Sequence, residues 1–338
     1  KELCNLQNAN NNIQLTQDED VLDTWFSSWL WPIEVFKGIS NPNNEEINYY
    51  YPTTTLVTGQ DIIFFWVARM IMAGYEFKST APFKDVYFTG MVRDKQGRKM
   101  SKQLGNSPDL LALIDTYGAD AVRFGIMIAS PAGNDLLFDE KLCEQGRNFN
   151  NKIWNAFRLV KGWNTENIPQ PEENKIAIEW FESTYNYSLT ELNDLFGKYR
   201  LSDALMCVYK LVWDDFCAWY LEVIKPEFGK PIDKKTYDQT ILFFENLLKV
   251  LHPFIPFITE ELWSELKTRD EKRNIIIASW PLANEFNSAI LDEAQTAFNA
   301  VTEIRNVRNS KGISPKEAMN VFCSSKTSAT FNSLVKKL

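Results

Sequence analysis

The chain has 338 residues, a formal net charge of -8 and 45% hydrophobic residues. That length exceeds one ordinary domain, and that apolar content builds packed cores, which excludes a disordered tail. The acidic balance excludes a generally basic nucleic-acid coat, so RNA or phosphate binding must use local patches.

Five cysteines (Cys4, Cys143, Cys207, Cys217, Cys323) form no Cys-x-x-Cys pair. Their scatter points away from zinc and from a disulfide framework, and fits a reducing compartment. No stretch reads as a signal peptide. The most apolar run, Ile62 to Tyr75, is interrupted by Arg69 and is too short to span a bilayer. The single histidine is His252.

Residues 1–17 are polar and Asn-rich, and read as a linker. Residues 18–36 lead from Asp18, Glu19 and Asp20 into Trp25, Phe26, Trp29 and Trp31 before Pro32. They read as a strand or turn that inserts aromatics. Residues 37–50 read as a polar loop. Thr53 to Thr58 is β-branched and predicts a strand. Gly59-Gln60-Asp61 forms the turn, and Ile62 to Gly74 predicts a buried helix. A loop over 78–84 precedes a second strand, Val86 to Thr89. Strand, helix, strand implies a parallel crossover, with ligands beyond the carboxyl ends of the strands. Two features fall there: Gly59 to Asp61, and a basic stretch after the second strand.

From Arg93 to Lys102 five basic residues (Arg93, Lys95, Arg98, Lys99, Lys102) face one acid, Asp94, punctuated by Gly90, Gly97 and Gly105. Alone, such a run is equally a solvated surface turn. A strand before, a helix after, and glycines that let a ligand approach favour a place that holds phosphates.

Ser107-Pro108 predicts an N-cap and first helical residue, opening helices over 109–117 and, after Gly118, over 119–129. A domain boundary is expected near 135, after Ser130 to Asn134. Helices follow at 141–162, 174–197, 201–226 with Ser202 as N-cap, 234–251 and 256–267, the pattern of an antiparallel bundle over 136–285. The first carries Lys141, Arg147, Lys152, Arg158 and Lys161 against Glu144. That is either a solvated face or a track for RNA phosphates. His252 reads as packed rather than catalytic. Residues 274–281 read as extended, 291–309 as helix and Met319 to Cys323 as strand-like, the last within a junction over 286–338.

Lys99-Met100-Ser101-Lys102-Gln103 resembles the Lys-Met-Ser-Lys-Ser signature of class I aminoacyl-tRNA synthetases, with Gln103 in place of the final serine. Asp23 to Ser28, Thr58 to Trp66, Val92 to Asp94, Gly118 to Phe124, Arg147 to Asn155 and His252 to Trp263 resemble the valine-specific family of that class, over roughly residues 18–310. Gln60 departs from the apolar residue usual beside Asp61.

The resemblance implies α/β then all-α architecture: the second half of a Rossmann-like parallel-sheet nucleotide fold over 18–135, then an antiparallel anticodon-binding helix bundle. It implies activation of valine by ATP to valyl-adenylate and transfer to tRNA(Val), by a cytoplasmic monomer, with Mg2+ accompanying ATP, no zinc and no membrane. Lys99, Ser101 and Lys102 would be catalytic. Gly59, Asp61, Met91, Val92, Lys99, Met100 and Lys102 would bind ATP. Trp25, Ile62 and Trp66 would wall the valine pocket, and Arg147, Lys152, Arg158 and Lys161 would touch tRNA. Asp61 also has a plain reading as an early-helix acid, and the two tryptophans as core.

With one histidine, these 338 residues cannot hold the His-x-Gly-His signature of the class, and no editing domain is visible. The expectation is a C-terminal fragment, inactive by itself. The alternatives are a non-catalytic tRNA- or nucleotide-binding module, or a sister ligase for isoleucine or leucine. Phe64-Phe65-Trp66 and the lack of paired cysteines weigh against isoleucine.

Overall fold

A computed structural model describes residues 16, 18–101, 103–130, 133–268, 274–314, 317, 322 and 327–338. The chain divides into two compact units, Lys1–Thr89 and Gly90–Leu338.

The first unit opens with three short helices: α1 (Thr24–Ser28), α2 (Trp31–Glu34) and α3 (Glu45–Tyr50). They replace the strand or turn expected over 18–36 and part of the loop expected over 37–50. Side-chain caps decide this. Asp23 accepts from the Trp25 N–H and Asn44 from the Ile47 N–H, satisfying donors that a first helical turn leaves open. Both expected strands are present, the second starting at Phe83, within the loop expected over 78–84. β1 (Thr53–Gly59) pairs in parallel with β2 (Phe83–Thr89), with Thr53 opposite Phe83 and Gly59 opposite Thr89. Between them the chain makes a 3-10 turn (Gln60–Ile62), a π-helical turn (Ile63–Val67) and α4 (Ala68–Lys78). The helix therefore runs past the expected Gly74, and left-handed Ser79 ends it. Val67, Met70 and Phe83 form its core, with Trp29, Leu56, Trp66, Val86 and Phe88 packed around them.

In the second unit β3 (Val92–Arg93) pairs in parallel with β4 (Leu136–Leu137). α5 (Leu110–Tyr117) is capped by Asp109, not by the expected Ser107, because the Asp109 carboxylate takes the Leu111 and Ala112 N–H groups. Gly118, at φ 91°, separates α5 from α6 (Ala119–Ile128). α7 (Glu140–Lys161) and α8 (Glu172–Gly197) follow. α9 (Leu201–Lys210) continues through π-helical Leu211–Tyr220 into α10 (Leu221–Ile224), so one expected helix carries two hydrogen-bond registers. Ser202 is not its cap: Arg200 holds that place with no side-chain cap bond.

The two-residue strands β5 (Thr165–Glu166) and β6 (Ile232–Asp233) pair in parallel. The remaining helices are α11 (Lys234–Leu251), α12 (Pro256–Leu266), α13 (Ser288–Lys311) and α14 (Ala329–Lys337). The segment expected to be extended over 274–281 holds a 3-10 turn at Ile275–Ile277. Apart from Phe322, the strand-like stretch Met319 to Cys323 lies outside the described residues.

One aromatic-rich core joins these helices and buries Phe149, Phe181, Phe216, Tyr220 and Phe254. The Phe181 ring lies 4.9 Å from Tyr220 and 5.3 Å from Phe216, in tilted contacts that aromatic quadrupoles favour. Two polar pairs sit within the core: Tyr220 Oη meets Thr240 Oγ1 at 2.9 Å, and Asn174 Nδ2 donates to Asp233 at 3.1 Å, whereas the buried Tyr185 hydroxyl has no partner among the described residues. Two glycines let α6 and α7 touch backbone to backbone. A β-carbon on Gly146 would stand 2.6 Å from the Ala121 carbonyl oxygen, and one on Gly125 2.8 Å from the Cys143 nitrogen. Among the described residues no helix is long and apolar enough to cross a membrane.

Candidate functional site

The basic stretch folds as a hairpin. Asp94 N–H donates to the Arg98 carbonyl at 3.0 Å and Met100 N–H to the Val92 carbonyl at 3.4 Å. Arg93 and Lys99 form an antiparallel bridge, and Gly97 turns the chain at φ 77°. The lone acid of the stretch organises this turn. Buried Asp94 accepts from Gln96 N–H (3.0 Å), Arg98 N–H (2.9 Å), Arg98 Nε (2.8 Å) and Asn106 Nδ2 (2.9 Å). The Asn106 amide first, then Arg98 and the turn N–H groups, hold its carboxyl well below the usual carboxylate range against the opposing effect of burial.

Three of the five cations are neutralised within the hairpin and its base. Arg93 pairs with Asp135, Lys95 with Asp139 at 3.0 Å and Arg98 with Asp94 at 2.7 Å. Asp135, lowered by Arg93 and then by the Met91 N–H, also ties the strand start. Lys99 is exposed and makes no ion pair with a described residue. Lys102 lies outside the described residues. Met100 packs against Leu113, Val122, Phe138 and Cys143. Ser101 N–H donates to Asn106 Oδ1 at 2.9 Å, and Ser101 Oγ accepts from Leu104 N–H at 3.2 Å. Met91 and Val92 are committed to β4: Met91 donates to Asp135 and accepts from Leu136. Asn106, Asp135 and the organising part of Asp94 carry no motif of their own in the sequence; the one signal there is a single acid inside a basic run.

The other expected nucleotide and amino-acid residues lie in the first unit. Gly59 ends β1, and exposed Asp61 sits in the 3-10 turn after it. Asp61 Oδ1 folds back to 2.6 Å from where a Gly59 β-carbon would stand. Half-buried Ile62 closes that turn. The Trp25 ring stacks on Phe65 at 6.1 Å and carries the Arg69 guanidinium 5.6 Å from its centroid. Trp66 Nε1 donates to the Ser28 carbonyl at 3.0 Å, fastening α1 to the π-helical turn. Trp66 therefore serves the core as well as any pocket, since its ring also packs on the Val67 cluster.

The four expected tRNA contacts all lie on α7 but are engaged differently. Arg147 lies 3.7 Å from Glu144 and 5.3 Å from the Tyr117 centroid. Lys152 Nζ lies 5.4 Å from the Trp213 centroid. Lys161 Nζ donates to the Leu266 carbonyl at 3.4 Å. Arg158 is exposed and lines a 440 Å³ groove with Trp163, Lys225, Phe228 and Lys230. Phe228 is fully exposed there, at 108%. The turn bearing Lys225, Phe228 and Lys230 has no signature in the sequence, because three residues in a short loop form no periodic pattern.

Two of the motif stretches meet each other. Asp120 accepts from Phe257 N–H (3.3 Å) and Ile258 N–H (2.7 Å). Arg123 donates to the Phe254 (3.2 Å) and Pro253 (3.0 Å) carbonyls. His252 is packed as expected: its Nδ1 meets Thr259 Oγ1 at 2.7 Å, and burial lowers its pKa. Among the described residues no group of three His, Cys, Asp or Glu side chains could hold a metal.

Residues 2–139 match the family described as tRNA synthetases class I (I, L, M and V). Residues 179–323 match the anticodon-binding domain of tRNA ligase. Among solved structures the chain is similar to the LeuRS of Agrobacterium radiobacter K84 in ternary complex with tRNA and LeuAMS. The TM-score is 0.59 at 17% identity, over 82% of this chain and 34% of that one. It is also similar to Mycobacterium tuberculosis methionyl-tRNA synthetase bound by methionyl-adenylate, at TM-score 0.51 and 18% identity over 67% and 46% of the two chains. Matched families and fold together define a class I tRNA synthetase chain.

Its sequence relatives are more specific. The chain is 60% identical to the valine–tRNA ligase of Phocaeicola vulgatus over 99% of its own length and 39% of the relative's. Against that of Parabacteroides distasonis it is 58% identical, over 100% and 39% of the two. Against that of Chlorobaculum tepidum it is 43% identical, over 91% and 36%. The chain belongs to the valine–tRNA ligase family, and spans about two fifths of the length of these relatives.

Proposed function

We propose that this chain supplies the phosphate-binding loop and the anticodon-reading helices of a ligase that activates valine with ATP and transfers it to tRNA(Val). The finer architecture in this reading is the second half of a Rossmann-like fold over 18–135 and an antiparallel anticodon-binding bundle over 136–285. The matched families, over 2–139 and 179–323, support that division.

The observation that carries the reading is Lys99. It is an exposed cation on a hairpin whose neighbouring cations Arg93, Lys95 and Arg98 are already paired. A lysine so placed is a point charge for a triphosphate. Lys99 and Lys102 hold the ATP phosphates and stabilise negative charge on departing pyrophosphate, as the valine carboxylate attacks the α-phosphate. Ser101 keeps the loop turned, Met91, Val92 and Met100 border the nucleotide, and Gly59 and Asp61 meet its ribose. Trp25, Ile62 and Trp66 enclose the valine side chain. ATP brings Mg2+ on its own phosphates.

The test is valine-dependent ATP–pyrophosphate exchange by the full-length ligase with Lys99→Ala and Lys102→Ala. Each variant loses exchange while keeping its unfolding midpoint. Unchanged exchange in both sinks the role of the loop, and exchange driven by isoleucine or leucine instead of valine sinks the specificity. The 338 residues alone give no exchange.

A further inference from the structure

The Asn106 side chain is placed where one amide can fix the returning arm of the basic hairpin to the acid that shapes its turn. Its Oδ1 accepts from Ser101 N–H at 2.9 Å. Its Nδ2 donates to Asp94 Oδ2 at 2.9 Å and reaches the Lys99 carbonyl at 3.4 Å. The residues on either side of Met100 are thus bound through their backbones to one amide, and that amide is bound to the carboxylate that shapes the turn. Met100 itself is anchored in the apolar cluster with Leu113 and Val122. The backbone from Lys99 to Ser101 is held at both faces, while the Lys99 side chain stays exposed.

We propose that Asn106 is a positioning residue for nucleotide activation: by tying Asp94 to the Lys99 and Ser101 backbones it presents the Lys99 ammonium to the triphosphate. This rests on the reading of the loop as the ATP phosphate site. Chemistry requires an amide here, because one side chain must accept from an N–H and donate to a carboxylate and a carbonyl. Alanine offers neither, and a carboxylate offers only acceptors. The geometry also separates roles. Asn106 acts through the loop, so ATP use must suffer while valine saturation does not.

The experiment measures ATP–pyrophosphate exchange by the full-length ligase with ATP and valine varied separately. Asn106→Ala lowers kcat/KM for ATP on the order of 10- to 100-fold, the scale of a small misplacement of a reacting group, with KM for valine within about twofold. Asn106→Asp sets two carboxylates against each other and is worse than Asn106→Ala. The reciprocal double variant Asp94→Asn with Asn106→Asp restores a donor–acceptor pair and regains part of that loss. Wild-type ATP saturation in Asn106→Ala overturns the proposal. So does a loss shared equally by ATP and valine with a lowered unfolding midpoint, or a double variant no better than Asn106→Asp. Lys99→Ala and Lys102→Ala run in parallel keep the two claims apart: if both exchange normally the phosphate-site reading fails, whatever Asn106 does.

Discussion

The Asp120 carboxylate takes the N–H of Ile258 at 2.7 Å, although 138 residues separate them in sequence. With Phe257 N–H it satisfies two of the open donors at the start of α12 (Pro256–Leu266), as a cap supplied from another helix. Arg123, nearly one turn along α6, grips the carbonyls of Pro253 and Phe254 just before it. Two of the stretches that carry the family resemblance, Gly118 to Phe124 and His252 to Trp263, are therefore the two sides of one clamp. Asp120→Ala leaves two part-buried N–H groups without their cap and lowers stability by about 0.5–2 kcal/mol. Asp120→Asn keeps an acceptor and costs less. Urea unfolding of both variants checks the order.

The crossing of α6 and α7 depends on the absence of two side chains. A methyl at position 146 meets the Ala121 carbonyl oxygen at 2.6 Å and its α-carbon at 2.9 Å. Both are backbone, so neither can rotate away. Gly146→Ala therefore destabilises by about 1–3 kcal/mol through overpacking, despite the better helix propensity of alanine. A raised unfolding midpoint would show that the helices separate freely.

The parts of the fold legible in the sequence were those written in local chemistry. The β-branched run Thr53–Thr58 and the run Val86–Thr89 gave the parallel pair β1 and β2, and three- and four-residue apolar steps gave the long helices. The short helices α1 and α3 were missed because aromatic β-propensity in 18–36 and polarity in 37–50 hid single Asx caps, Asp23 and Asn44. Register changes such as π-helical Leu211–Tyr220 leave no trace in apolar spacing. At the site the basic run was visible, but its net positive count overstated the available charge. The acids that neutralise it, Asp135 and Asp139, stand some forty residues away in sequence and are brought in only by β4 and the start of α7.

Asp215 gives a pH signature. It borders a 470 Å³ cavity beside Cys207 and Lys210. Burial first, and then the neighbouring Asp214, push its carboxyl from 3.8 up to about 7, with Lys210 opposing. The folded pKa lies above the unfolded one, so the folded state binds the proton more tightly. Stability from this group is full below about pH 4 and is lost as pH rises to about 7. Holding the charge at pH 8 costs up to about 4 kcal/mol. Asp215→Asn therefore raises the urea midpoint at pH 8 and leaves it nearly unchanged at pH 4. An equal effect at both values refutes the assignment.

The basic face of α7 divides into cations with internal work and a cation without it. At about 100° per residue, Arg147, Arg158 and Lys161 lie within about 60° of one another, and Lys152 lies more than about 100° away. Lys152 stands over Trp213, and Lys161 holds the Leu266 carbonyl. Arg158 makes no ion pair with a described residue and shares its groove with exposed Phe228. A guanidinium beside an aromatic surface suits a phosphate next to an unstacked base. Arg158→Ala therefore weakens tRNA(Val) binding, and lowers the slope of log K against log salt by about 1, the release of one phosphate contact. Lys152→Ala leaves that slope unchanged and instead lowers the unfolding midpoint, because it removes a cation–π contact worth about 0.5–2 kcal/mol. Titrations of labelled tRNA at several salt concentrations separate the two. If Lys152→Ala flattens the slope and Arg158→Ala does not, the RNA track runs along the other side of the helix.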